Sequence, residues 1–200
     1  TVSPDGAHVY TAGIDGGVAA FARNPVSGVL TFVEAEIDGQ GGVGGLGFAR
    51  AVAVAPDGAH VYVAGLADDA VVIFSRNTTS GALTFVGTVQ DGVGVVDGIN
   101  GAVALEFSPD GTTLYVAGST DHAVAVFTRN PTSGALTFAE MEKDGVGNVN
   151  GLFGVRALTV SADGSHLYAA SGTPGAIVTF ARDGTSGLLT FQDQLQDGED

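Results

Sequence analysis

The chain has 200 residues, 44% hydrophobic and only 14% charged, so it can bury a core and does not have a disordered composition. Its formal net charge of −15 argues against nucleic acid and anionic membranes as partners. There is no cysteine, so no disulfide or thiolate metal site, and no apolar run approaches the roughly 18 residues of a membrane-spanning helix.

The turn Pro4-Asp5-Gly6 opens a repeat. It returns as Pro56-Asp57-Gly58, Pro109-Asp110-Gly111 and Ala162-Asp163-Gly164, with 52, 53 and 53 residues between the aspartates. In step with it come Tyr10, Tyr62, Tyr115 and Tyr168, then Phe21, Phe74, Phe127 and Phe180. Arg23, Arg76, Arg129 and Arg182 follow, and Gly28, Gly81, Gly134 and Gly187 mark the next turn. The units run over residues 1–47, 48–100, 101–153 and 154–200.

Each unit reads as four short strands. In the second, these are Ala51 to Ala55, His60 to Ala64, Ala70 to Arg76 and Ala82 to Val89. They are β-branched and aromatic runs bounded by clusters of Gly, Pro, Asn and Asp. No stretch sustains a helical period. Four antiparallel strands in about 53 residues define a propeller blade, whose two apolar faces are covered by its neighbours. The predicted fold is therefore all-β, a β-propeller of four-stranded antiparallel blades. The linker from the Asp-Gly after a last strand to the next Pro-Asp-Gly turn has 18 residues, whereas the two chain ends together supply seven. This predicts four blades of a larger ring of six to eight. A closed four-blade ring and two chains pairing as eight blades are the alternatives.

Most conspicuous residues have architectural explanations. The turn aspartates cap their own backbone, and arginines occurring once per blade should pair with carboxylates or loop carbonyls. His8, His60 and His166 share one repeat position and would be widely separated in a ring, which argues against a metal cluster. Few residues break the pattern. Glu106 stands where Ala53 and Thr159 occur, on the small-residue side of an inner strand, where a carboxylate is costly unless paired or wet. His122 interrupts the loop Ser119-Thr120-Asp121-His122. These two are the candidate catalytic residues, with surface histidine and salt-bridge partner as the plainer alternatives. Arg50 and Arg156 begin inner strands near the channel mouth, where they could grip an anionic ligand.

Two loop sets should converge on one end of the channel. One contains Ile14-Asp15-Gly16, Ala67-Asp68-Asp69, Thr120-Asp121-His122 and Thr173-Pro174-Gly175. The other follows the pattern Asp-Gly-x-Gly-x-Val-x-Gly-[Leu/Ile] from Asp38, Asp91 and Asp144. Oxygen-rich loops of this kind can hold calcium, with Asp91, Asp97 and Asp144 as candidate ligands. No cofactor is required by any motif, and no Gly-x-Ser-x-Gly elbow occurs.

The segments Ser108-Pro109-Asp110-Gly111, Leu114-Tyr115-Val116-Ala117, Val124-Ala125-Val126-Phe127 and Thr132-Ser133-Gly134-Ala135-Leu136-Thr137-Phe138 carry a family resemblance. Along its whole length the chain resembles the lactonase-like propellers, which include bacterial phosphogluconolactonases and shade into YVTN-type surface-layer repeats. The resemblance implies the blade, and an extracellular, periplasmic or cell-envelope location. It transfers no catalytic residue, because the shared motif consists of turn and core positions.

Because nearly every notable residue serves the blade, the leading expectation is a binding or scaffold module of an exported or cell-surface protein, with no specific reaction assignable and the balance against an enzyme. Its ligand would be a small molecule, a glycan or a protein, with self-association through unclosed blade edges as a further partner. The second reading is a lactonase-type hydrolase acting on a sugar-acid lactone through Glu106, His122, Arg50 and Arg156. The third is a calcium-stabilised adhesion module.

Overall fold

The computed structural model describes residues 1–172 and 175–198. Thr173 and Pro174, in the last of the predicted loops, lie outside the described residues. The first blade contains β1 (His8–Gly13), β2 (Gly17–Arg23) and β3 (Leu30–Ile37), with Val2 bridged to Val9 in place of an inner strand. The second is β4 (Ala49–Val54), β5 (His60–Gly65), β6 (Ala70–Arg76) and β7 (Leu83–Gln90). The third is β8 (Ala102–Phe107), β9 (Thr113–Gly118), β10 (Ala123–Arg129) and β11 (Leu136–Lys143). The fourth is β12 (Val155–Val160), β13 (His166–Ser171), β14 (Ala176–Arg182) and β15 (Leu189–Gln196). All are antiparallel meanders paired in chain order, as expected for propeller blades. No helix among the described residues is long and apolar enough to cross a membrane.

The inner strands β4, β8 and β12 stand side by side along the channel. β4 begins at Ala49, two residues before the predicted Ala51, because a bulge joins the extra pair to the ladder. Ala49 pairs with Gly65 and Ala51 with Ala64, which leaves Arg50 as the extra residue; Val103 and Arg156 occupy the same bulge in β8 and β12. Ala55 falls in the turn instead, where its N–H donates to His60 O at 2.9 Å.

The core lies between blades, since neither face of a single sheet can be left wet. At the first seam, Tyr10, Val18 and Ala20 of the first blade pack on Val61, Val63, Val72 and Phe74 of the second. The same pattern recurs at the second and third seams. A polar latch crosses each seam beside this apolar layer. Arg76 Nε donates to Tyr10 Oη at 2.8 Å, Nη1 to Gly58 O at 3.0 Å and Nη2 to Asp5 at 2.8 Å, with His8 Nδ1 also 2.8 Å away. Tyr10 Oη in turn donates to Gly81 O at 2.8 Å. Arg129 repeats the arrangement on Tyr62, Gly111, Asp57 and His60. Since the guanidinium can only donate, each imidazole presents an unprotonated Nδ1. Burial, and then the neighbouring guanidinium, lower the pKa values of His8 and His60 accordingly.

The third seam departs from this. Thr113 replaces the histidine, and Asp110 is drawn to Ser108 Oγ at 2.6 Å and Thr112 Oγ1 at 2.8 Å. It stands 3.8 Å from Arg182 Nη2, which is buried without a hydrogen-bond partner.

Candidate functional site

The largest departure from apolar packing along the inner strands is Glu106. It lies in β8 on the face turned toward the fourth blade, as its cross-strand partner Tyr115 does. It borders a channel cavity of about 490 Å³ lined by Val52, Val54, Leu105, Phe107 and Val160, with Ser161 at its edge. Oε1 accepts the N–H of Val160 at 3.3 Å. That N–H is available because β12 is an edge strand on its channel side. No arginine or lysine pairs with Glu106 among the described residues. Burial raises its carboxyl pKa, and the Val160 bond only partly offsets the desolvation. The site therefore holds a poorly solvated carboxylate facing a cavity large enough for a small ligand, an arrangement suited to proton transfer.

Arg50 and Arg156 are exposed at their bulges, which turn bulged side chains off the regular pleat. Arg156 lies along Gly172, where a Cβ would come within 2.6 Å of its Nε. The arginines precede the Glu106 register by three residues, roughly 10 Å along a strand. Neither arginine is among the residues that line the Glu106 cavity.

His122 is not a free surface residue. Its backbone is left-handed, with φ 57°, where the equivalent Gly16 and Gly175 have φ 86° and 83° and Asp69 has φ 53°. Gly154 N–H of the fourth blade donates to its Nδ1 at 3.0 Å, and its ring stacks on exposed Phe153 with centroids 4.1 Å apart. Asp69 does the same for Gly101 N–H at 2.7 Å. The structure does not bring His122 to the cavity of Glu106, which is lined by Thr1, the inner strands and the turns that follow them.

The aspartates of the linker pattern are loop caps. Asp38, Asp91 and Asp144 accept the N–H of Leu46, Ile99 and Leu152 at 3.0, 3.1 and 2.9 Å, pinning three fully buried side chains. The expected grouping of Asp91, Asp97 and Asp144 is corrected. Asp144 is the copy of Asp91 one blade on, and its carboxylate caps Leu152 rather than joining this group. The residue that joins Asp91 and Asp97 is Asp121, with one ligand atom from each within 4.8 Å of the others. Burial, followed by the charges of Asp121, Asp97 and Asp69, raises the Asp91 pKa. The group offers three of the six to eight oxygens a calcium ion takes, and Lys143 Nζ already lies 3.2 Å from Asp121.

The family model of the lactonases, seven-bladed β-propellers, matches residues 1–97 and 88–199. No curated protein matches the chain. Among solved structures, the Pseudomonas aeruginosa periplasmic gluconolactonase superposes with a TM-score of 0.77 at 24% identity, over 98% of this chain and 55% of that one. A candidate 6-phosphogluconolactonase from Bacteroides fragilis also gives 0.77 at 24% identity, over 98% and 53%. A Lactobacillus plantarum protein gives 0.77 at 23%, over 95% and 54%. The chain thus spans about half the length of these relatives, and at such identities the likeness is one of fold. The expectation of a binding or scaffold module is overturned by the family match, which favours the alternative, the hydrolase reading. Repeat regularity marked the scaffold of the blades and said nothing against chemistry in the channel they surround. On the match over residues 1–97 and 88–199, the chain belongs to the lactonase family of seven-bladed β-propellers.

Proposed function

We propose that the protein is a lactonase-type hydrolase acting on a sugar-acid lactone in the channel. The observation that carries this reading is the Glu106 carboxylate, half-buried at a cavity of about 490 Å³, without a cationic partner and with a raised pKa. Glu106 takes a proton from a water molecule as the hydroxyl oxygen adds to the lactone carbonyl. The ring C–O bond then breaks, and the departing alkoxide takes the proton back, giving the open hydroxy acid. Arg50 and Arg156 hold the anionic end of the substrate, a role for which a planar, permanently charged guanidinium is suited. They also supply local positive charge on a chain of net charge −15, which would otherwise repel an anionic substrate. A periplasmic or envelope location accompanies this reading, supported by the periplasmic gluconolactonase among the fold relatives.

The test is lactone hydrolysis followed by acid release, on neutral, carboxylated and phosphorylated aldonolactones. Arg50→Ala and Arg156→Ala should raise KM for the anionic substrates and leave the neutral one unaffected. Glu106→Gln should lower kcat by roughly 10²–10⁴, the usual contribution of a positioned base. Wild-type rates no higher than the buffer rate on every lactone would refute the proposal.

A further inference from the structure

At each internal seam a glycine-rich linker faces the outer strand of the next blade, and the residues between them differ from seam to seam. At the second seam, Asp91 and Asp121 accept the consecutive N–H groups of Ile99 and Asn100 at 3.1 and 3.0 Å. The two carboxylates are thereby set side by side, and Asp97 joins them. Lys143, the only lysine in the chain, brings its ammonium to 3.2 Å from Asp121. Met141 closes the space above Gly98, where an added Cβ would meet its Sδ at 2.9 Å. At the third seam Gln194 takes the place of Met141, with Oε1 2.6 Å from where a Cβ on Gly151 would stand.

The first seam keeps this frame and loses what fills it. Asp38 and Asp68 accept the consecutive N–H groups of Leu46 and Gly47 at 3.0 and 2.7 Å. Among the described residues, the second oxygen of each carboxylate has no hydrogen-bond partner and neither aspartate pairs with a cation. Gln90 stands where Lys143 does, and its amide is already engaged, donating to Asp68 O at 3.1 Å. Thr88 stands where Met141 does and reaches only Gly44 O, at 2.8 Å. What remains is a cavity of about 530 Å³ between the linker and β7, with Val43 and Phe85 as its apolar wall. Both sides of it come from within this chain, the linker after β3 and the second blade. It shares no lining residue with the Glu106 cavity.

We propose that the cavity at the first seam binds a primary alkylammonium ion, its ammonium on Asp38 and Asp68 and its stem along Val43 and Phe85. The second seam is the precedent within the same chain. There the counterpart of Asp68 holds the ammonium of a side chain with a four-carbon stem, so an amine of that kind supplies at the first seam what Lys143 supplies at the second. An ammonium has three donors for the two free carboxylate oxygens. It also offsets the repulsion between two like charges fixed on adjacent amides. The apolar wall favours a cation on a stem over a fully hydrated inorganic ion, and the net charge of −15 draws cations to the surface.

The test is titration of the isotope-labelled full chain with n-butylammonium, read at its backbone amides by NMR, with n-butanol and calcium as controls. The amides of Leu46 and Gly47 should shift along a saturable curve. Those of Ile99 and Asn100, whose acceptor Asp121 already holds Lys143, should not. Neither control should reproduce the pattern. Asp68→Asn keeps an acceptor for Gly47 N–H and should weaken binding about tenfold. Thr88→Met with Gln90→Lys copies the second seam into the first and should abolish binding. Both side chains occupy the same strand positions in β11, so that variant keeps the fold. The proposal is overturned if Leu46 and Gly47 show no saturable shift, or if the shifts are equal at both seams. Reproduction of the shifts by n-butanol or calcium overturns it too, as does binding that survives the double variant.

Discussion

Replacing Thr113 by histidine should strengthen the third seam. In the first two seams, Arg Nη2 lies 2.8 and 3.0 Å from an imidazole Nδ1 and 2.8 Å from an aspartate oxygen. In the third, Arg182 Nη2 is buried with no partner. Space for the ring exists, because Gly187 lies against Thr113 as Gly134 lies against His60. Satisfying a buried charged donor is worth about 1–3 kcal/mol, and ordering the imidazole costs about 0.5–1 kcal/mol. From the middle of these ranges the net gain is about 1 kcal/mol, or roughly 2–4 °C in melting temperature for a chain of this size. The new imidazole must be neutral to accept from arginine, so its folded pKa lies below that of the unfolded chain. The gain is therefore full above the ordinary histidine range and is lost as pH falls, when the unfolded chain takes up a proton that the folded chain refuses. Thermal unfolding at about pH 8 and about pH 5 measures both parts. No gain at the higher pH, or an undiminished gain at the lower, would refute the reasoning.

The same linkage applies to the wild type. The pKa values of His8 and His60 are lowered from 6.5, so stability in urea titrations should decline as pH falls below that value, and less steeply in His60→Thr. Arg129→Met should cost about 2–4 kcal/mol in the same assay, chiefly by stranding Tyr62, Gly111 and His60. The Asp57 ion pair adds little, since that carboxylate is 39% exposed. Arg182→Met should cost less, because its Nη2 has no bond to lose. Asp144→Ala should cost about 1 kcal/mol through the freed Leu152 N–H, read as faster hydrogen exchange at that amide.

The blades were legible in the sequence because turns and strands are local. Each Pro-Asp-Gly turn and each strand of the second unit, from His60 onward, lies within a residue or so of its predicted place. The latches were legible only in part. One oxygen of Asp5 accepts Ala7 N–H within its own turn, as its position implies, but the other meets Arg76, 71 residues away. The once-per-blade arginines pointed to architecture without naming those partners. The bulge at Arg50 and Arg156 was hidden because an inserted residue interrupts the alternation that sequence reading follows. The error at Asp144 has a related cause. Repeat alignment groups equivalent positions, whereas space groups different positions on neighbouring loops, here Asp91, Asp97 and Asp121. His122 was visible as an irregularity, yet it does the work of Asp69, accepting a backbone N–H from the next blade. Glu106 was the irregularity with no such counterpart, and it remains beside the channel with a single backbone bond.

The most direct test of the proposed reaction is the pH dependence of kcat/KM for a carboxylated aldonolactone. Glu106 acts as a base only when ionised, and burial favours its protonated form. The wild type should therefore lose activity toward acid along a limb lying above the ordinary glutamate value of 4.5. Glu106→Gln should lack that limb and run close to the buffer rate. A limb that persists in Glu106→Gln, or undiminished turnover by that variant, would contradict the account.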